Sequence, residues 1–124
     1  MNKLGIDDIK NDRVAITIGD SGDGLSVKFS GEIDMEDPSG LLDPLFEKVH
    51  TGAVDKGVNE VVADFSELKF LNSSGIKSIA KWIMKLGEVE DAYKITIKQN
   101  PEITWQATSL QTLTFLVPGA VSVA

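Results

Sequence analysis

Cysteine is absent from the 124 residues, so the chain has no disulfide framework, no thiol nucleophile and no thiolate metal site. Histidine occurs once, at His50, with no nucleophile or second ligand near it in sequence, and is expected on the side of a helix or at the surface. The N-terminal stretch MNKLGIDDIKND is polar and lacks the apolar centre of a signal peptide, and no later run is long enough to cross a bilayer. A cytoplasmic location is the resulting expectation. Basic residues are few: 12 against 19 acidic ones, a net charge of −7. Nucleic acid and anionic membranes are therefore unfavourable partners.

Catalytic signatures are missing too. There is no Gly-x-Ser-x-Gly elbow, no glycine-rich phosphate loop and no base at a recognisable spacing from a serine. Asp20 and Asp23 in GDSGDG lack the ligand ladder of an EF-hand and read as turn residues. Glu32, Asp34, Glu36 and Asp37 form an acidic loop without His or Cys. No enzyme activity, cofactor or metal site is expected.

What is present is a patterned chain with 42% hydrophobic residues, enough for one domain with a core. Residues 1–12 read as a loose arm. Val14, Ile16 and Ile18, then Leu25, Val27 and Phe29, alternate as two strands of an antiparallel hairpin. Asp43-Pro44 reads as a helix start, with Leu45, Phe46, Val49 and Ala53 facing inward and Gly57 ending the helix. Val61-Val62-Ala63 predicts a strand covered on both faces. Tyr93, Ile95 and Ile97 give another strand; Ile103, Ala107, Leu110 and Leu113 a weaker helix. Pro118-Gly119 turns the chain into a short last strand, Val121 to Val123. This alternation predicts an α/β fold: a mixed, mainly parallel sheet of about five strands with right-handed crossovers after the hairpin.

The segment 60–86 organises the rest. Asn72-Ser73-Ser74-Gly75 joins the central strand to a helix over 74–86, and its side chains suit the free N–H groups of a first helical turn. Ile76, Ile79, Ala80, Ile83 and Met84 form the expected inward stripe. Lys77, Lys81 and Lys85 line one exposed edge, and Ser74, Ser78 and Trp82 the next. Trp82 is thus expected at the border of the stripe, as an exposed anchor for a partner.

The segment VVADFSELKFLNSSGIKSIAKWI resembles the signature of the STAS domain of bacterial anti-sigma-factor antagonists, and FSGEIDMED resembles that family's preceding strand and its exit. The resemblance implies a single STAS-like domain over 1–124. It places Ser73 at the family's phosphoacceptor, Ser74 and Gly75 at the next two positions, and Asn72 where the family has Asp. It implies a partner-switching module that binds an anti-sigma factor or related serine kinase, is released by phosphorylation and is restored by a serine phosphatase. The expected contact set is Asn72, Ser73, Ser74, Gly75, Lys77, Ser78, Lys81 and Trp82. The alternative is a STAS-like sensor that holds a nucleotide or another anion at the same helix start.

Overall fold

A computed structural model describes residues 4–22, 24–89, 93–117 and 119–123, with Ala107 by its backbone alone. Asp23 and Pro118 lie outside the described residues. The order of elements is β1 Ile9–Lys10, β2 Val14–Ser21, β3 Gly24–Ile33, α1 Ser39–Lys56, β4 Glu60–Leu71, α2 Ser73–Gly87, β5 Lys94–Lys98, α3 Thr104–Leu113 and β6 Val121–Val123. The strands lie side by side in chain order. The pairs β1–β2 and β2–β3 are antiparallel, and every later pair is parallel. The sheet has six strands; the additional one is β1, too short to show a period in sequence. The arm is packed rather than loose from Leu4 on: Leu4 joins the core margin and Ile6 is buried.

Right-handed crossovers that always step in the same direction place all their helices on one face of a sheet. The burial pattern agrees. Leu25, Val27, Phe29, Val61, Ala63, Phe65, Ile95 and Ile97 are buried together with the inward residues of α1 and α2. The intervening Thr17, Ser26, Lys28, Ser30 and Thr96 are exposed or half-buried. The run Val61-Val62-Ala63 is buried throughout, as expected of a strand covered on both faces. Val62 sits on the helix-free face, in register between Ser26 and Thr96. In the core, Phe29 stacks on Phe65 with ring centroids 4.8 Å apart.

The first helix begins five residues earlier than its Asp43-Pro44 signal suggests. The carbonyl of Pro38 accepts from the N–H groups of Leu41 and Leu42, and Pro44 lies inside the helix. Asp43, released from capping, is free to pair elsewhere. At the other end Gly57 adopts φ +68°, and Val58 N–H bonds back to Ala53 O, closing the helix as a Schellman motif.

β4 outruns β5. Backbone pairing with β5 stops at Asp64, and residues 65–71 have no strand on that side. Side chains from the start of α3 replace it. Gln106, fully buried, donates to Phe65 O at 2.6 Å and to Leu68 O at 2.9 Å. Trp105 Nε1 donates to Lys69 O at 2.8 Å, and Asn100 Nδ2 to Ser66 O at 3.2 Å. The carbonyls at the end of β4 are thereby satisfied as buried polar groups must be. The strand is held rigidly up to the point where α2 starts.

Candidate functional site

The turn between β4 and α2 is fixed mainly by Asn72. Its backbone is extended, at φ −77° and ψ 170°, and its Oδ1 accepts from Gly75 N–H at 2.8 Å, the standard side-chain cap. Its Nδ2 donates to Met35 O at 2.8 Å, and its own N–H to Ile33 O at 3.0 Å. One residue therefore joins the start of α2 to the exit of β3. An Asp here would keep the acceptor but have no proton for Met35 O, which gives Asn at this position a physical role.

With capping done by Asn72, the Ser73 side chain is left over. Ser73 is the first residue of α2, is exposed, and takes no hydrogen bond from the described residues. Ser74 is half-buried. Gly75 is buried and tightly enclosed: a Cβ there would come within 2.5 Å of Leu71 Cδ1 and 3.2 Å of Ile33 Cγ2. The first turn of α2 carries no acidic residue, so its positive end is not offset by the helix's own side chains.

The exit of β3 is held from its other side by Arg13, the chain's single arginine. Its guanidinium meets Asp34 with two hydrogen bonds, Nε to Oδ1 at 3.1 Å and a terminal nitrogen to Oδ2. That contact holds the Asp34 carboxyl below its ordinary range. Gly31 has φ +93°, and a Cβ there would strike Arg13 O, so only glycine fits the crossing.

The remaining expected contact residues separate from this turn. The inward side of α2 consists of Gly75, Ser78, Ile79, Trp82, Ile83 and Leu86, while Met84 is 59% exposed. The stripe is thus rotated by about a quarter turn, at 100° per residue, from the expected one of Ile76, Ile79, Ala80, Ile83 and Met84. The reason is that α2 packs against both the sheet and α1, and the second contact buries its Ser74–Ser78–Trp82 edge below the first turn. Ser78 and Trp82 are each 2% exposed. Trp82 is a core residue and not a surface anchor: its ring stacks on Phe46 of α1 at 4.7 Å, nearly parallel. Trp82 Nε1 bonds to the Tyr93 hydroxyl, which also meets His50 Nδ1. The lysine edge divides as well. Lys81 pairs with Asp43 at 2.9 Å and Lys85 pairs with Glu47, bridging α2 to α1, and both carboxyls are held low by their lysines. Lys77 is exposed near the turn. Between α1 and α2, above Phe46 and Trp82, a cleft of about 130 Å³ remains.

The structure thus brings together Asn72, Ser73, Ser74, Gly75 and Lys77, and turns Ser78, Lys81 and Trp82 toward α1. Sequence reasoning missed the Arg13–Asp34 clamp and the Asn72–Met35 bond. A lone arginine in an acidic chain was the only hint of the former. Among the described residues no group of three or more His, Cys, Asp or Glu is placed to hold a metal ion. Among the same residues, no helix is long and apolar enough to cross a membrane.

No protein-family model matches the sequence, and no curated protein matches it. Among solved structures, the chain is similar to an anti-sigma factor antagonist from Mycobacterium paratuberculosis, with a TM-score of 0.65 and 24% identity over 91% of this chain and 88% of that one. The six-stranded, mostly parallel sheet with its three helices therefore matches the fold of that anti-sigma factor antagonist.

Proposed function

We propose that this chain is a regulatory, non-enzymatic module that docks an anti-sigma factor or a related serine kinase through the turn at 72–75. Phosphorylation of Ser73 releases the partner, and a serine phosphatase restores binding in the cytoplasm. The observation that carries this reading is the division of labour in the turn. Asn72 caps the helix, so the exposed Ser73 hydroxyl has no structural duty among the described residues. A phosphate adds nearly two negative charges. At the start of a helix the charge is tolerated. In a docked interface it is desolvated and repels acidic groups, so the complex separates.

The test starts with incubation of the purified module with its candidate kinase and ATP, followed by mapping of the modified residue. Partner titrations with Ser73→Ala and Ser73→Asp come next. Phosphate on Ser73, retained binding by S73A and weakened binding by S73D are the expected results. Modification confined to another residue, together with binding indifferent to charge at position 73, would sink the switch. Binding of a nucleotide or inorganic anion at the turn, in place of a protein, would instead mark a small-ligand sensor.

A further inference from the structure

Phe70 is 44% exposed on β4, on the helix-free face of the sheet. Its register partner on β3 is Glu32, just past the irregularity between Gly31 and Glu32. The next residue, Leu71, turns inward and packs over Gly75. Phe70 and Ser73 are three residues apart, so their Cα atoms lie within about 10 Å. Beyond the end of β5, the flank of this strand is formed by half-buried Ile103 and Trp105, and the Trp105 indole is fastened to Lys69 O. An aromatic ring is thus presented beside the switch turn on a strand whose carbonyls are already bonded.

Its surroundings are acidic. Glu32, Glu36, Asp37 and Glu102 are exposed in the neighbouring segments, against two exposed bases, Lys69 and Lys77, among the described residues. Asp34 and Glu67 are already matched by Arg13 and Lys28. A second copy of the chain would set this acidic rim against itself, in a protein of net charge −7.

We infer that Phe70 is the aromatic anchor of the docking surface, and that its occupant is a partner protein with an apolar pocket rimmed by Lys or Arg. This deepens the reading of the 72–75 turn as a docking site and rests on it. It also moves the anchor from Trp82, which is buried, to a residue that water reaches. Phosphate on Ser73 then brings bulk and a charge that docking must desolvate, next to the chain's own carboxylates at Glu32, Glu36 and Asp37.

The experiment titrates the purified partner kinase of the Ser73 assay into wild type, Phe70→Ala, the double variant Glu32→Lys/Glu102→Lys, and Lys94→Ala as a control away from the patch. Melting curves and sedimentation accompany each titration. Phe70→Ala is expected to weaken binding on the order of 10-fold or more with a near-native melting curve. The charge-reversed variant is expected to weaken it more at low salt than at high salt. If Phe70→Ala melts early, the charge-reversed variant, whose substitutions are exposed, decides alone. Unchanged binding by both variants beside normal wild-type binding overturns the anchor and leaves the switch standing. Absence of wild-type binding overturns the docking reading and the anchor with it. Wild-type dimers that Phe70→Ala converts to monomers would assign the patch to self-association and overturn the proposed occupant.

Discussion

The indole N–H of Trp82 donates to the phenolic oxygen of Tyr93 at 2.7 Å, and the same oxygen lies 2.8 Å from His50 Nδ1. An indole can only donate, so the phenol oxygen accepts from Trp82, while the direction of its bond with Nδ1 is set by the His50 tautomer. Burial raises the Tyr93 hydroxyl well above the ordinary phenol range, with the Trp82 bond opposing it, so the phenol keeps its proton at every physiological pH. Three elements, α1, α2 and the start of β5, meet in this chain of bonds.

Replacing Trp82 by Phe should keep the stack on Phe46 and remove the donor to Tyr93. The expected cost is about 1–3 kcal/mol of stability. Trp82→Ala removes the stack as well and should cost about 3–5 kcal/mol. Urea denaturation measures both. A Trp82→Ala variant with the wild-type midpoint would remove this residue from the core.

The His50 pair predicts a pH dependence. Desolvation, then the nearby Lys85, lowers the affinity of folded His50 for a proton, with Glu47 and Glu88 acting in the opposite direction. Below the ordinary value of 6.5 the unfolded chain therefore binds more protons than the folded one. The stability that goes with this lowered affinity is fully present above that pH and is lost as the pH falls from it through the lower folded value. Melting temperatures from pH 7.5 to 5.5 should decline for wild type more steeply than for His50→Gln. Parallel profiles would show that His50 keeps its normal affinity for protons.

Gln106→Leu should preserve volume yet leave Phe65 O and Leu68 O without donors in a buried site. A loss of about 1–3 kcal/mol is expected. Gln106→Glu should lose at least as much at neutral pH, since a carboxylate facing carbonyl oxygens has nothing to donate. Thermal melts of the two variants test this, and a neutral Gln106→Leu would mean that water satisfies those carbonyls.

Asn72→Asp separates the two bonds of the cap. The acceptor for Gly75 N–H remains and gains a favourable charge at the helix start. The donor to Met35 O is gone. The expected outcome is a small change in melting temperature with faster hydrogen exchange in residues 33–37. Slower or unchanged exchange there would show that the exit of β3 is held without the Asn72 side chain, by the Arg13–Asp34 pair and the backbone bond to Ile33 O.

The order of elements was legible because the spacing of apolar residues switches cleanly between two and about 3.6 along the chain. The turn was legible because Asn-Ser-Ser-Gly acts locally, through backbone groups a few residues away. The side of α2 that faces inward was not. The most apolar residues define a stripe only when a helix has a single neighbour, and here small Gly75 and Ser78 mark where the backbone comes close. Phe70 lies outside the core because of the register irregularity beside Gly31, which no local pattern announces. Gln106 reads as a solvated helix residue, because nothing in its own sequence tells that β5 stops short of it.

The side-chain amides and the indole along the end of β4 also make that edge of the sheet exchangeable. A backbone ladder fixes the direction and spacing of whatever segment lies next to it. Here the neighbouring segment meets β4 by individual side chains, each reaching a carbonyl from its own angle. The piece after β5 can therefore drift in length and tilt during evolution while the strand leading to Ser73 stays in place, provided that a donor still arrives at each oxygen.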